Sequence, residues 1–132
     1  MSTSFDAARA RARLLDIVRE KALKRGTFTL ASGKTSDYYL DCRLVTLDPE
    51  GLFLLSRLIL EDLKDSPVEA VGGLTLGADP VAYAVAHAAA LHNRDLDAFT
   101  VGKEAKTHGA GRLIEGPLQE GWNVVVVEDT IT

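Results

Sequence analysis

The stretch that decides the fold is VVVVEDTIT, residues 124–132, in which four valines run into two carboxylates. A continuous apolar run of this kind is typical of a parallel strand that is covered on both faces. Ligands of open α/β sheets bind at the carboxyl ends of such strands, where Glu128 and Asp129 stand. Adjacent carboxylates can accept hydrogen bonds from sugar hydroxyls or act through a bound cation. The stretch therefore predicts a strand that delivers two acids to a ligand, with a solvated strand end as the alternative.

The residues before this strand predict two more strands of the same sheet. VEAVGGLT, 68–75, and DAFTVGK, 97–103, are short apolar runs that end in polar or glycine-rich stretches. An alanine-rich helix over 80–93 separates them, and a polar loop over 104–117 leads to the last strand, 123–128. Strands that alternate with helical or loop segments predict an α/β fold with a parallel sheet.

The first half of the chain predicts a helix, a strand pair and a second helix. Residues 6–25 keep one apolar face, and Gly26 is a plausible stop. Residues 27–47 have β-rich ends around the polar centre SGKTSD, which fits two short strands joined by a loop. Asp48-Pro49 then starts a helix that runs to about Lys64. We expect one domain over residues 1–132, with the helix and strand pair in about 1–47 and the α/β core in about 48–132.

Composition narrows the class of protein. The chain has 132 residues, 46% of them hydrophobic, and a formal net charge of −4, which disfavours nucleic-acid binding by bulk charge. Cys42 is the single cysteine, so the sequence has no disulfide framework and no thiolate metal cluster, and we expect it to pack as a small hydrophobe. No apolar stretch approaches the ~20 residues that span a bilayer. We expect a cytoplasmic protein without a membrane partner.

The stretch KEAKTHGAGRLIEG, 103–116, carries the strongest cationic signal. Lys103, Lys106, His108 and Arg112 fall close together among glycines. A flexible cationic loop of this composition can close over a polyanion and neutralise developing charge. A solvated surface loop is the alternative interpretation.

Three other features carry weaker signals. GGLTLGADP, 72–80, could bring backbone N–H groups to a phosphate, but it matches neither the dinucleotide nor the nucleoside-triphosphate loop, so a tight strand-to-helix turn is the preferred interpretation. His87 and His92 lie five residues apart on one helix, which is not metal-ligand spacing, and are interpreted as structural. Tyr38 and Tyr39 could stack on a flat ligand or simply pack.

Together these stretches resemble type I phosphoribosyltransferases, and specifically the orotate phosphoribosyltransferase family. FTLASGKTSDYYLDCRLVTLDPEG, 28–51, is similar to the hood segment of that family, which covers the pyrimidine base. FTVGKEAKTHGAGRLIEG, 99–116, is similar to its catalytic loop, and VVVVEDTIT to the start of its phosphoribosyl pyrophosphate (PRPP) signature. The resemblance implies a Rossmann-like parallel sheet with helices on both faces and an N-terminal hood, here truncated after the third core strand.

The resemblance also implies a reaction. The family transfers 5-phosphoribose from PRPP to orotate, giving orotidine 5′-phosphate and pyrophosphate in pyrimidine (UMP) biosynthesis. Mg²⁺ is implied as a cofactor that is bound mainly through PRPP. A homodimer is implied too, because the family's catalytic loop acts in the neighbouring subunit's site.

The matched positions imply roles for individual residues. The residues implied to contact the pyrophosphate are Lys103, Lys106 and His108. Those implied to bind the ribose and its 5′-phosphate are Glu128, Asp129, Thr130 and Thr132. Those implied to surround the base are Ser32, Gly33, Tyr38 and Tyr39.

The sequence departs from the family pattern at several points. Gly102, Gly77 and Ala31 stand where basic residues are common. The pattern continues beyond Thr132 with the turn that cradles the 5′-phosphate, so we expect this chain alone to have little activity. Three alternatives stay open: a phosphoribosyltransferase for another base, a non-catalytic phosphoribosyltransferase-like binding or regulatory protein, and a structural fragment that folds without any activity.

Overall fold

The computed structural model describes residues 4–104 and 113–130. Eleven elements of secondary structure lie within these ranges. In chain order they are α1 (Ala7–Ile17), a π-helical turn (Val18–Ala22), β1 (Leu23–Thr29), β2 (Thr35–Leu40), α2 (Arg43–Thr46), α3 (Pro49–Asp62), β3 (Ala70–Leu74), α4 (Asp79–Leu91), β4 (Asp97–Val101), β5 (Ile114–Glu115) and β6 (Val124–Val126).

The N-terminal segment forms a helix followed by an antiparallel hairpin of β1 and β2. The predicted helix over 6–25 is wrong in its last residues, because the helical turns end at Ala22 and Leu23 already pairs with Leu40. The buried Ala22 also accepts a hydrogen bond through its carbonyl from the N–H of Asp41, which favours the strand pair over further helix. Gly26 is therefore not a helix stop but lies inside β1, at φ 149°.

The predicted start of the second helix is confirmed. The Asp48 side chain accepts a 2.9 Å hydrogen bond from the N–H of Gly51, and Pro49 occupies the first turn of α3. The two predicted strands around SGKTSD are also confirmed as β1 and β2. The four-residue helix α2 that follows them was not predicted, because so short an element carries no readable periodicity.

The central sheet has the strand order β5-β4-β3-β6. Strand β3 lies in the middle and runs parallel to both β4 and β6, with Val71 opposite Ala98 on one side and Val125 on the other. This confirms the predicted α/β fold with a parallel sheet. The prediction of an unbroken loop over 104–117 is wrong at Ile114–Glu115, which pairs antiparallel with β4 as the short strand β5.

The main core lies between this sheet and two helices. Side chains of α3 and α4 pack on the sheet face that carries Val71, Val125 and Val127. On the opposite face Val126 is 70% exposed, so the predicted helix on that face stays a prediction. The predicted division of the chain near residue 47 also stays a prediction. Among the described residues, no helix is long and apolar enough to cross a bilayer.

Candidate active site

The acidic pair lies at the carboxyl end of β6, where the sequence predicts it. The N–H of Val127 donates to the carbonyl of Gly72 over 2.8 Å, so the chain stays beside β3 until it reaches the acids. Glu128 is exposed, whereas the Asp129 side chain is only 11% exposed. The N–H of Asp129 donates to Glu128 Oε1 at 2.9 Å. The enclosure of Asp129 disfavours a merely solvated strand end.

Asp129 lies between a backbone turn and an arginine. A Cβ built on Gly77 would lie 2.6 Å from Asp129 Cγ, so the carboxylate fills the space beside that glycine. On the other side, Arg43 Nε lies 3.9 Å from Asp129 Oδ2, and the Arg43 side chain is 62% exposed. A guanidinium at this distance keeps the acid paired while leaving most of its own charge open to a ligand.

Arg43 is the charged residue of this cluster that the sequence analysis did not identify. It lies in α2, directly after the hairpin, within the stretch DCRLVT. One arginine in such a stretch forms no charge pattern, and only the contact between α2 and the end of β6 brings it to Asp129. Its position after the second hairpin strand was the one available signal.

The predicted packing of Cys42 as a small hydrophobe agrees with its environment. The residue is partly buried, and burial raises the pKa of its thiol above the ordinary value, with a smaller contribution from the carboxylates of Asp129 and Asp41. A thiol with a raised pKa is protonated at neutral pH and is a poor nucleophile. Cys42 therefore contributes packing rather than chemistry beside the acids.

The glycines of GGLTLGADP are explained by close packing rather than by a bound phosphate. A Cβ on Gly72 would lie 2.6 Å from Phe99 Cδ2, and one on Gly73 would lie 2.7 Å from Ala78 Cβ. Both positions therefore require glycine if the strands and the following helix are to keep this spacing. This supports the interpretation of residues 72–80 as a tight strand-to-helix turn, with Gly77 alone facing the acidic pair.

Two clefts lie near the acidic pair, and Thr46 lines both of them. One, of about 490 Å³, is lined by apolar side chains of α1, α3 and β6 together with the acidic pair. The other, of about 370 Å³, lies beside the turn and α2, and its lining residues are Arg43, Thr46, Leu47, Leu76, Gly77, Asp79, Pro80 and Tyr83. A polyanionic ligand favours the second cleft because that cleft contains the arginine.

Lys103 lies at the root of the predicted cationic loop. It is exposed and follows β4 directly, after Gly102. The N–H of Gly102 donates to the carbonyl of Leu113 over 2.8 Å, so the two ends of the segment are held side by side. Lys106 and His108 lie outside the described residues, and so does Thr132 at the other end of the predicted site.

The predicted base-binding residues are split between the turn and the second strand of the hairpin. Ser32 and Gly33 lie in the turn, where Gly33 adopts φ 85° and its N–H donates to the carbonyl of Leu30. Tyr38 and Tyr39 lie on β2 and are 50% and 45% exposed. The Ser32–Gly33 turn is at the opposite end of the hairpin from α2 and Asp129. Thr130 directly follows the acids and is exposed.

Comparison with known proteins identifies close relatives. No family model matches the chain. The orotate phosphoribosyltransferase of Streptomyces coelicolor is 51% identical over 122 residues, which cover 92% of this chain and 67% of the relative. That of Corynebacterium glutamicum is 50% identical over 132 residues, which cover the whole chain and 70% of the relative.

Solved structures agree with these relatives. The Mycobacterium tuberculosis orotate phosphoribosyltransferase in complex with Fe(III) dicitrate matches with a TM-score of 0.79 at 49% identity, over 93% of this chain and 69% of that one. Its complex with PRPP matches with a TM-score of 0.74 at 44% identity, over 93% and 66%. Because the sequence relatives and the structural neighbours agree over most of its length, this chain belongs to the orotate phosphoribosyltransferase family.

Proposed function

We propose that this chain carries out the reaction for which its relatives are named, the transfer of 5-phosphoribose from PRPP to N1 of orotate. The bond between ribose C1 and pyrophosphate breaks, a bond between C1 and the base nitrogen N1 forms, and N1 gives up its proton to water. The observation that carries the proposal is the enclosed carboxylate of Asp129, held at the end of a parallel strand between Gly77 and Arg43. A family relationship at about half sequence identity supports it.

The acidic pair is proposed to bind the ribose. Carboxylate oxygens of Glu128 and Asp129 accept hydrogen bonds from two ribose hydroxyls, and their negative charge favours the positive charge that develops at C1 as pyrophosphate leaves. Because Glu128 and Asp129 differ in exposure, we expect the two acids to have different roles. Asp129 is fixed in position by its surroundings, whereas the exposed Glu128 can adjust to the ligand.

The cationic segment is proposed to bind the departing pyrophosphate. Lys103, Lys106 and His108 supply the charges, and neutralising the leaving group lowers the barrier to its departure. Thr130 and Thr132 are proposed to begin the turn that holds the 5′-phosphate. Arg43 adds a further positive charge on the cleft that Gly77 borders.

The hairpin is proposed to cover the base. Half-exposed aromatic rings such as Tyr38 and Tyr39 offer flat surfaces on which orotate can stack. The Phe28 and Tyr39 rings contact each other with centroids 5.8 Å apart, which stiffens this part of the hairpin. Ser32 and Gly33 supply polar and backbone groups at the turn.

Mg²⁺ is proposed to bind together with PRPP rather than at a site made only of protein ligands. Within the described ranges, no group of three or more histidine, cysteine or acidic side chains is arranged to hold a metal ion. Mg²⁺ retains waters and binds through substrate phosphates with few carboxylates, which is the basis of this part of the proposal. The exposed carboxylate of Glu128 is proposed to contact the hydrated ion. The ion would supply charge neutralisation on the pyrophosphate.

A homodimer in which the catalytic loop acts in trans is part of the proposal. Phe53 on α3 and Leu91 on α4 are 57% and 70% exposed and line one groove between the two helices. Contiguous exposed apolar surface of this kind marks a protein interface. A cytoplasmic location is proposed as well, in keeping with a single, partly buried cysteine.

The proposal is tested by adding orotate, uracil or adenine to the protein with PRPP and Mg²⁺ and following nucleotide formation chromatographically. Of the three bases, only orotate should give a nucleotide product, orotidine 5′-phosphate. Product from another base would support the first alternative. Saturable PRPP binding without any product would support the non-catalytic alternative, and the absence of both binding and product would overturn the proposal.

A further inference from the structure

Asp79 joins two segments of the site through hydroxyl groups. It is the first residue of α4, and its carboxylate accepts hydrogen bonds from Thr75 Oγ1 at 2.5 Å and from Thr100 Oγ1 at 3.2 Å. Tyr83 OH lies 2.7 Å from Thr100 Oγ1. A threonine hydroxyl has one proton, and Thr100 gives it to Asp79, so Tyr83 is the donor in the third bond.

Thr75 and Thr100 lie in different parts of the proposed PRPP site. Thr75 directly follows β3 and begins the turn that brings Gly77 against Asp129. Thr100 lies in β4, three residues before Lys103. The N–H of Thr75 also donates to the carbonyl of Val101 over 2.9 Å, so side-chain and backbone bonds hold the same two segments together.

A purely structural role is the competing explanation. An acidic residue in the first turn of a helix is stabilised by the helix dipole, and Asp79 occupies that position in α4. A carboxylate needs no hydroxyl partners for that effect. Here both carboxylate oxygens are used, one for each threonine, and Asp79 and Tyr83 line the same cleft as Gly77 and Arg43.

We propose that Asp79 is a positioning residue for PRPP, which fixes the spacing between the turn beside Asp129 and the root of the loop that begins at Lys103. The proposal rests on the proposed function. Asp79 does not need to touch the donor, because its carboxylate acts through Thr75 and Thr100. Loss of these bonds would let the two segments separate and would weaken binding of PRPP while leaving orotate binding unchanged.

The test compares three variants of the protein with wild type. Asp79→Ala removes both acceptors. Thr100→Val keeps the charge at the helix start but removes one link, and so separates the positioning role from the dipole effect. Asp79→Asn keeps one oxygen as an acceptor and should restore part of the affinity. Asp62→Ala and Asp62→Asn, at the exposed end of α3, are the matched controls.

Two readouts are taken for each variant: hydrogen–deuterium exchange of the 75–78 and 100–104 backbone without ligand, and Kd for PRPP with Mg²⁺ and for orotate by calorimetry. Asp79→Ala and Thr100→Val should speed exchange in both segments and raise the Kd for PRPP about tenfold, with no change for orotate. If wild type binds PRPP and these variants bind it as tightly as the controls do, the inference is overturned and the proposed function stands. If wild type binds no PRPP, both are overturned.

Discussion

The carboxylate of Asp129 occupies the space that a side chain on Gly77 would need, since a Cβ there would lie 2.6 Å from Asp129 Cγ. We therefore expect Gly77→Ala to displace the carboxylate from its place beside Arg43. Interactions that depend on a fixed acid should weaken, and the Kd for PRPP should rise about tenfold. Calorimetric titration of PRPP in the presence of Mg²⁺ measures the change.

Gly102→Ala is the matched control for this substitution. A Cβ at Gly102 would lie 3.4 Å from the carbonyl oxygen of Leu113, an ordinary contact, so the variant should bind PRPP as wild type does. Equal affinity in Gly77→Ala and Gly102→Ala would mean that the position of Asp129 does not matter for the donor.

Because a Cβ at Gly102 meets only ordinary contacts, a larger side chain there could also produce a gain of function. Gly102→Arg should place a cation directly before Lys103, where the family resemblance implies a basic residue, and should lower the Kd for pyrophosphate several-fold at low salt. The gain should shrink as ionic strength rises, because exposed charges are screened. Gly102→Gln supplies a long polar side chain without the charge. If it strengthens binding equally, the effect does not come from charge.

The contribution of Asp48, at the start of α3, to the free energy of unfolding should depend on pH. The hydrogen bond from Lys21 and the N–H of Gly51 lower the pKa of Asp48 below its usual 3.8. A carboxyl whose pKa is lower in the folded state contributes stability above its unfolded pKa and loses it as pH falls through the folded value. Asp48→Asn keeps a good helix cap but removes the charge. Wild type should therefore exceed this variant in unfolding free energy near neutral pH. The difference should begin to shrink near the unfolded pKa of about 4 and should vanish only below the lower pKa of the folded state.

Urea unfolding followed by circular dichroism at several pH values checks this expectation. Lys21→Met removes the partner instead of the acid and should show a similarly reduced dependence on pH. A stability difference between wild type and Asp48→Asn that is unchanged in acid would show that the ion pair is not its source.

The proposed dimer predicts a change of mass. Leu91 is 70% exposed at the end of α4, and Leu91→Glu places a charge on the apolar surface proposed for the interface. A charge in such a contact should convert the protein to single chains of 14.2 kDa in light-scattering measurements. Leu15→Glu, on the exposed side of α1, is the control and should leave the mass unchanged. If Leu91→Glu keeps the same dimer mass as Leu15→Glu, the interface does not include Leu91.

The sequence predicts the elements of this fold where patterns are long or carry a distinct start signal. The apolar runs at 68–75 and 123–128 and the Asp48-Pro49 start allow the parallel sheet and α3 to be predicted. The end of the first helix could not be predicted, because pairing between Leu23 and Leu40 overrides the helical pattern there. Such long-range pairing leaves no mark in local periodicity.

The candidate site could be predicted only in part, for a similar reason. Glu128 and Asp129 could be proposed from sequence because they directly follow a strand, whereas Arg43 and Asp79 become candidates only through contacts across the fold. Gly72 and Gly73 show the same limit, since their close approach to neighbouring segments depends on the spacing of strands and helix.

The most direct test of the account is formation of orotidine 5′-phosphate from orotate and PRPP at high protein concentration over long times, so that even a slow reaction is detected. We predict that the product forms with orotate and not with uracil or adenine, and that Asp129→Asn abolishes it while Asp62→Asn does not. No product from wild type, equal product from another base, or full product from Asp129→Asn would contradict the account.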